Sequence, residues 1–577
     1  MQNNFKKVFL IVPMILFLCI SFMGTIAKAE DKVNQSTVVE DNNKDVTNSS
    51  SNNLDTKSGV ATSPNSSGTN LPKTVSNTGL GNNAAGVSLV EKLPAWENVH
   101  GKLYYVTKDG VLKKTGWFKE KDENPNAANE NEYYLDKDYS AVTGWKQIDK
   151  LWYYFDEAGV KQTGWKYINY NWYHLDKDGI MQTGWFKENG YKYYSNDEGI
   201  MSVGKKYIGN NWYFFGSSGI LQTGFYFNEG RLYYSDESGI MIADQWVKTK
   251  NNKYYVKADS SLATGYAIID NEAENFDSSG KYIGPAEMKD YLFIKHLNVG
   301  RADCAFIKLP NGETALIDTG TPETSRQVVN FLKNQKLKEE DGKGIIDYIV
   351  ITHGHSDHIG GLASILENFK VKKVYMPDNA KMKDWYSYIT VTKENAADVQ
   401  MMKKDYEVYN DAAKAMKESN MEFTNTKKDD FIDKDKILQF VESDKNFGPI
   451  GSSKAAGDYW GINENSAIVY LNYGDLQELF TADMEWNSEK DFWQNDLLKG
   501  RKVDVLKVPH HGFDTSSTSD FINYLKPAIG VISRAKEDIE KGSAYNNLIS
   551  NGVSIYETSE KDGVSIYATQ ENWTLGK

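Results

Sequence analysis

Cysteine is almost missing from this chain of 577 residues. There are two, and Cys19 lies in an N-terminal apolar run, which leaves Cys304 without an internal partner. A disulfide framework is therefore excluded. Cys304 sits in an apolar stretch and reads as a small core residue rather than a nucleophile. Basic charge is also in short supply: 66 Lys and Arg face 79 Asp and Glu, for a formal net charge of −13, and the acidic residues are spread along the chain. That balance argues against a nonspecific nucleic-acid binder, which needs a basic stripe to follow phosphates. After the first residues, no run is apolar enough to span a membrane. Histidine is scarce too, with eight in all, yet His353, His355, His358, His510 and His511 fall in two tight clusters.

Lys6 and Lys7 precede an apolar run from Val8 to Ile20, and Ala27-Lys28-Ala29 follows. This order predicts a secretory signal over residues 1–29, cleaved before Glu30. The competing reading, an uncleaved anchor, needs a longer apolar run. Residues 30–94 are rich in Asn, Ser, Thr, Asp and Lys and hold few large apolar side chains. Such a segment cannot bury enough surface to offset its ordering entropy, so a disordered linker is expected. Export without disulfides fits a Gram-positive type of bacterium better than an animal secretory route.

Residues 95–285 repeat. Gly144, Gly164, Gly184, Gly204 and Gly224 mark a period of about 20 residues. Each unit reads as an aromatic strand, a turn ending in Gly and a second short strand. Trp152-Tyr153-Tyr154-Phe155-Asp156 with Gly159 and Thr163-Gly164-Trp165 is a clear case. A lone hairpin cannot stand by itself, so the units must stack into an all-β hairpin solenoid. The pattern resembles the choline-binding, or cell-wall-binding, repeats of bacterial surface proteins. That resemblance implies aromatic cages for the choline of teichoic acid, since ring faces attract quaternary ammonium groups. Carried over, the cage candidates are Trp145, Trp152, Trp165, Trp172, Trp185 and Trp212, with Tyr154, Tyr173 and Tyr194 as partners. Related repeats bind polysaccharide instead, and packing of the solenoid is the alternative role for any one ring. Lys205 stands where the plan expects Trp, and Phe225 and Tyr266 replace Trp elsewhere.

Residues 286–577 change character, and α/β patterns replace the repeats. Tyr291–Lys308 and Glu313–Ile317 read as two strands around Pro310-Asn311-Gly312. Ile345–Thr352 reads as a buried strand that runs into His353-Gly-His355-Ser-Asp357-His358, with a helix over Leu362–Phe369. Three imidazoles and a carboxylate in six residues form a natural divalent-metal site, at the strand end where open α/β sheets place ligands. Asp318, Asp483 and Pro509-His510-His511-Gly512 each end a further apolar run.

The order Asp, His-x-His-x-Asp-His, Asp, His resembles the metallo-β-lactamase superfamily and implies an αββα sandwich. Asn298 to Asp303, Asn465-Ser466 and Val508 to Gly512 resemble its competence-protein type and the pneumococcal-type phosphorylcholine esterases. No His lies between His358 and His510, which departs from β-lactamases proper. The resemblance implies two divalent ions: His353 and His355 hold one, Asp357, His358 and His511 hold the other, and Asp483 bridges them. Zinc is the default ion, with manganese or iron as alternatives. His510, Asp483 and Asn465 are the catalytic candidates, His510 touching a substrate phosphate oxygen or fixing a ligand. Asp318 is expected to bond to the His loop. Water between two cations becomes a nucleophile near neutral pH, so the expected activity is a metal-dependent phosphodiesterase on phosphorylcholine esters of teichoic acid. The repeats-first order departs from the pneumococcal-type esterases. A competence-type nuclease and a non-catalytic adhesin are the other readings. An insertion over roughly 380–460 carries Trp385, Tyr386, Tyr388, Tyr406, Tyr409, Tyr459 and Trp460. Most of these rings are expected to pack, with Trp385, Tyr459 and Trp460 the candidates for lining the cleft.

Overall fold

The computed structural model describes residues 94–577, apart from 126, 128–129, 444, 447–453, 535–541, 561 and 577. The expected signal segment, and the expected linker up to residue 93, lie outside the described residues. Among the described residues no helix is long and apolar enough to cross a membrane.

From Ala95 to Pro285 the chain forms successive antiparallel hairpins, among them Gly144–Ile148 with Leu151–Phe155 and Gly164–Ile168 with Asn171–Leu175. The turn after each pair is built locally. Asp156 Oδ1 accepts from the amides of Ala158 and Val160, and Asp176 repeats this with Asp178 and Ile180. Each return segment then bonds to the preceding hairpin: Met181 N donates to Trp152 O and Met201 N to Trp172 O, both at 2.9 Å. Gly199, at φ +82°, serves this stacking, because a Cβ there would collide with the Met181 side chain of the unit before. Period and stacking therefore come from one device, as the hairpin solenoid required.

The carboxy-terminal part is an αββα sandwich. Its elements are β1 (Leu292–His296), β2 (Ala305–Lys308), β3 (Thr314–Ile317), α1 (Ser325–Lys333), β4 (Glu339–Glu340), β5 (Lys343–Val350), α2 (Ser356–Ile359), α3 (Leu362–Asn368), β6 (Lys370–Tyr375), α4 (Ala396–Glu418), β7 (Leu438–Glu442) and α5 (Lys454–Trp460). They continue as β8 (Ile468–Tyr473), β9 (Leu476–Phe480), α6 (Trp486–Gln494), β10 (Val505–Lys507), α7 (Ser519–Leu525), β11 (Ile529–Ile532), α8 (Ser543–Ser550), β12 (Ser554–Glu557), β13 (Val564–Ala568) and β14 (Trp573–Gly576). The first sheet runs β4-β5-β3-β2-β1-β13-β14, with β6 also on β5, and the second runs in order from β7 to β12.

Alternate residues of each strand face opposite ways, so strands covered on both sides need continuous apolar runs. Ile317, Val350, Phe480 and Val505 meet between the sheets. Their neighbours Leu316 and Ile349 pack on Leu332 and Ile365 of α1 and α3, while Leu479 and Leu506 pack on Phe492 and Phe521 of α6 and α7. Strands β3, β5 and β6 are parallel to one another, as are β9 to β12. Parallel strands bring their carboxyl-end loops to one rim, and this is where the sequence motifs lie.

One expected strand divides. Tyr291–Lys308 is not continuous, because β1 ends at His296 and β2 begins at Ala305. Gly300, at φ +74°, turns the chain between them. Leu297, Val299, Ala302 and Cys304 stay buried because the loop folds under the α1–α3 side of the sheet. An apolar run here marks a plug rather than a strand. Cys304 is a core residue, as expected.

The last hairpin is fixed to the sandwich. Thr569 Oγ1 donates to Tyr266 O at 2.9 Å, and Thr574 Oγ1 bonds to Ile268 O. Arg231 pairs with Asp259 at 3.0 Å and with Asp475 of the β8–β9 turn at 2.7 Å. Tyr266, Ile268 and Tyr567 share an apolar cluster at the joint.

Candidate metal centre

The rim is built by loops from both sheets. Asp318 follows β3, and His353, His355, Asp357 and His358 follow β5, all from the first sheet. Asp483 follows β9, and His510 and His511 follow β10, from the second. Two backbone bonds tie these loops together: Thr319 N donates to His358 O at 2.8 Å, and His510 N to Ala482 O at 3.0 Å. Ala482, His510 and His511 all take left-handed backbone, at φ +48°, +46° and +50°. Such strain in non-glycine residues costs on the order of 1–3 kcal/mol each and persists where a fixed side-chain aim is needed.

The aim converges. One ligand atom from each of Asp357, His358, Asp483 and His511 lies within 4.8 Å of all the others. His358 Nε2 is 3.3 Å from Asp483 Oδ1, and His511 Nε2 is 3.4 Å from Asp483 Oδ2 and 3.5 Å from Asp357 Oδ2. His353 and His355 stand alongside. Their ring nitrogens are 3.1 Å apart, and the His353 and His358 ring centroids are 4.0 Å apart. His355 Nε2, His358 Nε2, His511 Nε2 and Asp483 Oδ1 are buried without a hydrogen-bond partner among the described residues. Buried polar atoms are normally satisfied, and imidazoles with carboxylates are a donor set that divalent ions accept. The residues therefore fit such an ion.

Charge shows the same preference. Burial opposes protonation of His358, but Asp483, Asp318 and Asp357 outweigh it and hold the imidazole well above its usual range. His511 behaves likewise, with burial overcome by Asp483 and Asp303. His353, buried beside His358 and His355, is pushed well below. In a cation-free pocket protons do part of a cation's work, so ion binding displaces protons.

The supporting contacts explain each orientation. Asp318, as expected, bonds to the His loop. Its carboxylate accepts from Thr352 N, Thr352 Oγ1 and His358 Nδ1, each at 2.8 Å. Asp303 is a residue that sequence reasoning quoted in a motif but gave no role. It lies 3.4 Å from His511 Nδ1 and 2.6 Å from the Lys507 ammonium. Burial raises its carboxyl, but Lys507 and His511 prevail and hold it well below the usual range. Asp303, Asp318 and His358 also gather ligand atoms. Lys507 already fills the cation's place there, so this group reads as support. An acidic residue inside a buried apolar loop was the available signal for Asp303.

His510 is half-buried. Its Nδ1 is 2.7 Å from Thr515 Oγ1 and 3.1 Å from Glu485, and its Nε2 is 3.8 Å from Asp483. Asn465 is buried and donates to Gly461 O at 2.7 Å in its own turn. The neighbouring Ser466 hydroxyl is the group placed against the His loop, 3.3 Å from His353 Nδ1. The insertion reaches the centre through Tyr459, whose ring lies 5.0 Å from His355 and whose hydroxyl donates to Asp405 at 2.6 Å. Asp405 also accepts from Ser356 N. Tyr459 and Trp385 are buried in packing, whereas Trp460 and Tyr386 are half-buried.

The array's rings fall into two sets. Trp145 meets Tyr154 of its own hairpin and Tyr173 of the next, edge-on at 5.1 and 4.9 Å. Trp185 repeats this with Tyr194 and Tyr213, and Trp165 with His174 and Tyr193. Trp152, Trp172 and Trp212 lie nearer the hairpin tips, opposite Gln147, Tyr167 and Tyr207. They are not gathered into these clusters.

Residues 297–535 match the family described as "Metallo-beta-lactamase superfamily". Residues 143–161, 163–181, 183–201, 206–221 and 244–259 match the choline-binding type of "cell wall binding repeat". The chain joins a metallo-β-lactamase domain to choline-binding repeats. The metallo-β-lactamase fold implies divalent-metal binding, and the repeats point to the cell wall. "ComE operon protein 3" of Bacillus subtilis is 24% identical over 259 residues, 42% of this chain. "Probable metallo-hydrolase YflN" of the same organism is 38% identical over 78 residues, 13% of this chain. The matches span 28% of the length of each of these relatives. Choline binding protein F from Streptococcus pneumoniae is a solved structure with 28% identity, covering 32% of this chain and 70% of its own, at a TM-score of 0.28.

Proposed function

We propose that the protein is exported and wall-attached, and that its metallo-β-lactamase domain hydrolyses phosphodiesters, with phosphorylcholine esters of teichoic acid as the leading substrate. The observation that carries the chemistry is the convergence of His358, His511, Asp357 and Asp483 from two sheets, with partnerless buried donors aimed inward. The repeats supply the polymer: aromatic sets such as Trp145, Tyr154 and Tyr173 suit a quaternary ammonium.

In this reading His353 and His355 would hold one ion and Asp357, His358 and His511 the other, with Asp483 available as a further ligand. Bound divalent ions acidify a water and screen a phosphodiester's negative charge. Asp318 holds the Nδ1 proton of His358 in place, so that its Nε2 presents a lone pair, and the Asp303 carboxylate lies 3.4 Å from His511 Nδ1 as its nearby counter-charge. Lys507 neutralises Asp303 from behind. His510, held by Thr515 and Glu485, turns Nε2 toward the centre, where it meets a substrate phosphate oxygen. The reaction forms one bond from water oxygen to phosphorus and breaks the ester bond, and the leaving oxygen takes the proton. Tyr459 is the insertion ring beside His355, and the half-buried Trp460 packed on it is the candidate face for a choline-sized group.

A second reading, a competence-type nuclease, is favoured by the similarity to ComE operon protein 3. The zinc-loaded protein should be assayed on a phosphorylcholine ester, a phosphomonoester and single-stranded DNA in parallel. Turnover of the first with little of the others supports the esterase; DNA turnover alone would replace it. His355→Ala should abolish hydrolysis and leave retention on a tertiary-amine resin intact.

A further inference from the structure

The repeat plan breaks at one position, and the break faces a cleft. The second residue of the hairpin strand is Trp145, Trp165 or Trp185 in three successive units, and Lys205 in the next. By register, Lys205 stands opposite Phe214, the equivalent of Tyr154 opposite Trp145. Lys205 Nζ lies 4.4 Å from the Trp212 ring centroid and donates to Ser554 Oγ of β12 at 2.9 Å. A position that holds a tryptophan ring in three other units here holds an ammonium group.

Lys205 and Phe214, with Tyr233 of the following unit, form one wall of a cleft of about 960 Å³ between the array and the metallo-β-lactamase domain. The other wall includes Lys502, Ala528 and Gly552, which precede β10, β11 and β12. The candidate metal ligands follow the carboxyl ends of parallel strands, so the cleft lies at the opposite end of the second sheet.

Its charges divide into paired and unpaired groups. Arg231 and Lys502 are answered by Asp259, Asp475 and Asp504. Arg501 donates to Gln439 Oε1 and to Leu498 O. Lys205, Lys206 and Lys526 line the cleft with no ion-pair partner among the described residues, and Glu229 is the remaining lining carboxylate. The cleft is thus locally basic in a chain of net charge −13, an arrangement that concentrates anions. Its array wall includes residues 206–221, a unit that matches the cell wall binding repeat. That favours a wall polymer over nucleic acid.

We propose that this cleft binds the backbone phosphates of a polyol-phosphate wall polymer through Lys205, Lys206 and Lys526, as an attachment point separate from the aromatic sites and the metal centre. The inference is independent of which ester the metal centre cleaves. Lys206 and Lys526 are exposed, so their replacement should leave the fold unchanged. The test is binding of choline-free poly(glycerol phosphate) oligomers to the full chain by calorimetry at low and moderate salt. The wild type should bind, and more weakly as salt rises. K206E/K526E should lose at least tenfold in affinity and K206R/K526R should retain it, with amine-resin retention unchanged in both. Absence of binding by the wild type, equal binding by K206E/K526E, or tighter binding of single-stranded DNA through the same two lysines would each overturn the proposal.

Discussion

Asp318→Asn isolates the contact that sets the tautomer of one candidate ligand. Asp318 has φ +59°, a conformation that Asn tolerates about as well as Asp, so the backbone should hold. Its carboxylate accepts three bonds of 2.8 Å, two from Thr352 and one from His358 Nδ1. The last places the proton on Nδ1 and leaves Nε2 free to donate to a cation. Asn has one acceptor oxygen. If that oxygen stays with Thr352, the amide NH₂ faces Nδ1, and the imidazole must carry its proton on Nε2, pointing where the ion belongs. If it turns to His358, the Thr352 amide loses its acceptor, at a cost of roughly 1–3 kcal/mol. Both outcomes weaken metal binding. Loss of such a supporting partner costs about 10–100-fold in affinity, or about 1.4–2.7 kcal/mol. The assay is zinc titration against a competing chelator, with hydrolysis measured per bound zinc. Wild-type zinc affinity in a folded Asp318→Asn protein would refute the reasoning.

Three further outcomes are expected. Lys507→Met leaves the buried Asp303 carboxylate without its ammonium and should cost about 3–5 kcal/mol in urea unfolding; a loss under about 1 kcal/mol would mean that Lys507 is not its main counter-charge. Burial, resisted by the Thr518 and Ser517 donors, pushes the Glu489 carboxyl up to about 7. The folded state then keeps a proton that the unfolded chain releases near 4.3, so this contribution is full below that value and fades as pH rises to about 7. The slope is at most about 1.4 kcal/mol per pH unit; Glu489→Gln should flatten the melting temperature against pH, and parallel curves would contradict the assignment. Gly199→Ala forces a side chain onto left-handed backbone and against Met181, and should cost about 1 kcal/mol or more in array stability, read as an earlier array melting transition with the metallo-β-lactamase domain unaffected.

The features legible in the sequence are those written in local spacing. The hairpin period, the turn glycines and the His-x-His-x-Asp-His run each depend on residues a few positions apart, and each appears where that spacing requires. Asp318 was also legible, because it ends a strand as the His loop does. What local spacing cannot carry is pairing across the two sheets. Asp303 and Lys507 neutralise each other at 2.6 Å from opposite sheets, and no window along the chain contains both. The β1–β2 loop reads as strand for a related reason: burial by helices α1 and α3 leaves the same apolar signature as burial inside a strand. Tyr459 and Asp405 meet only because the insertion folds back over α2.

The long-range contacts also show why the centre needs both halves of the sandwich. His358 and Asp357 come from the first sheet, and Asp483 and His511 from the second, so the ligand cluster exists only when the sheets pack in register. Leu316, Ile349, Leu479 and Leu506 point outward to the helices, and their neighbours Ile317, Val350, Phe480 and Val505 lock the sheets together. A one-residue slip in any of these strands would exchange the two sets. It would also turn Asp318, His353, Asp483 or His511 away from the rim. The apolar alternation that fixes the fold is therefore the same alternation that aims the metal-binding side chains, and core substitutions in β3, β5, β9 or β10 should lower metal affinity before they lower helical content.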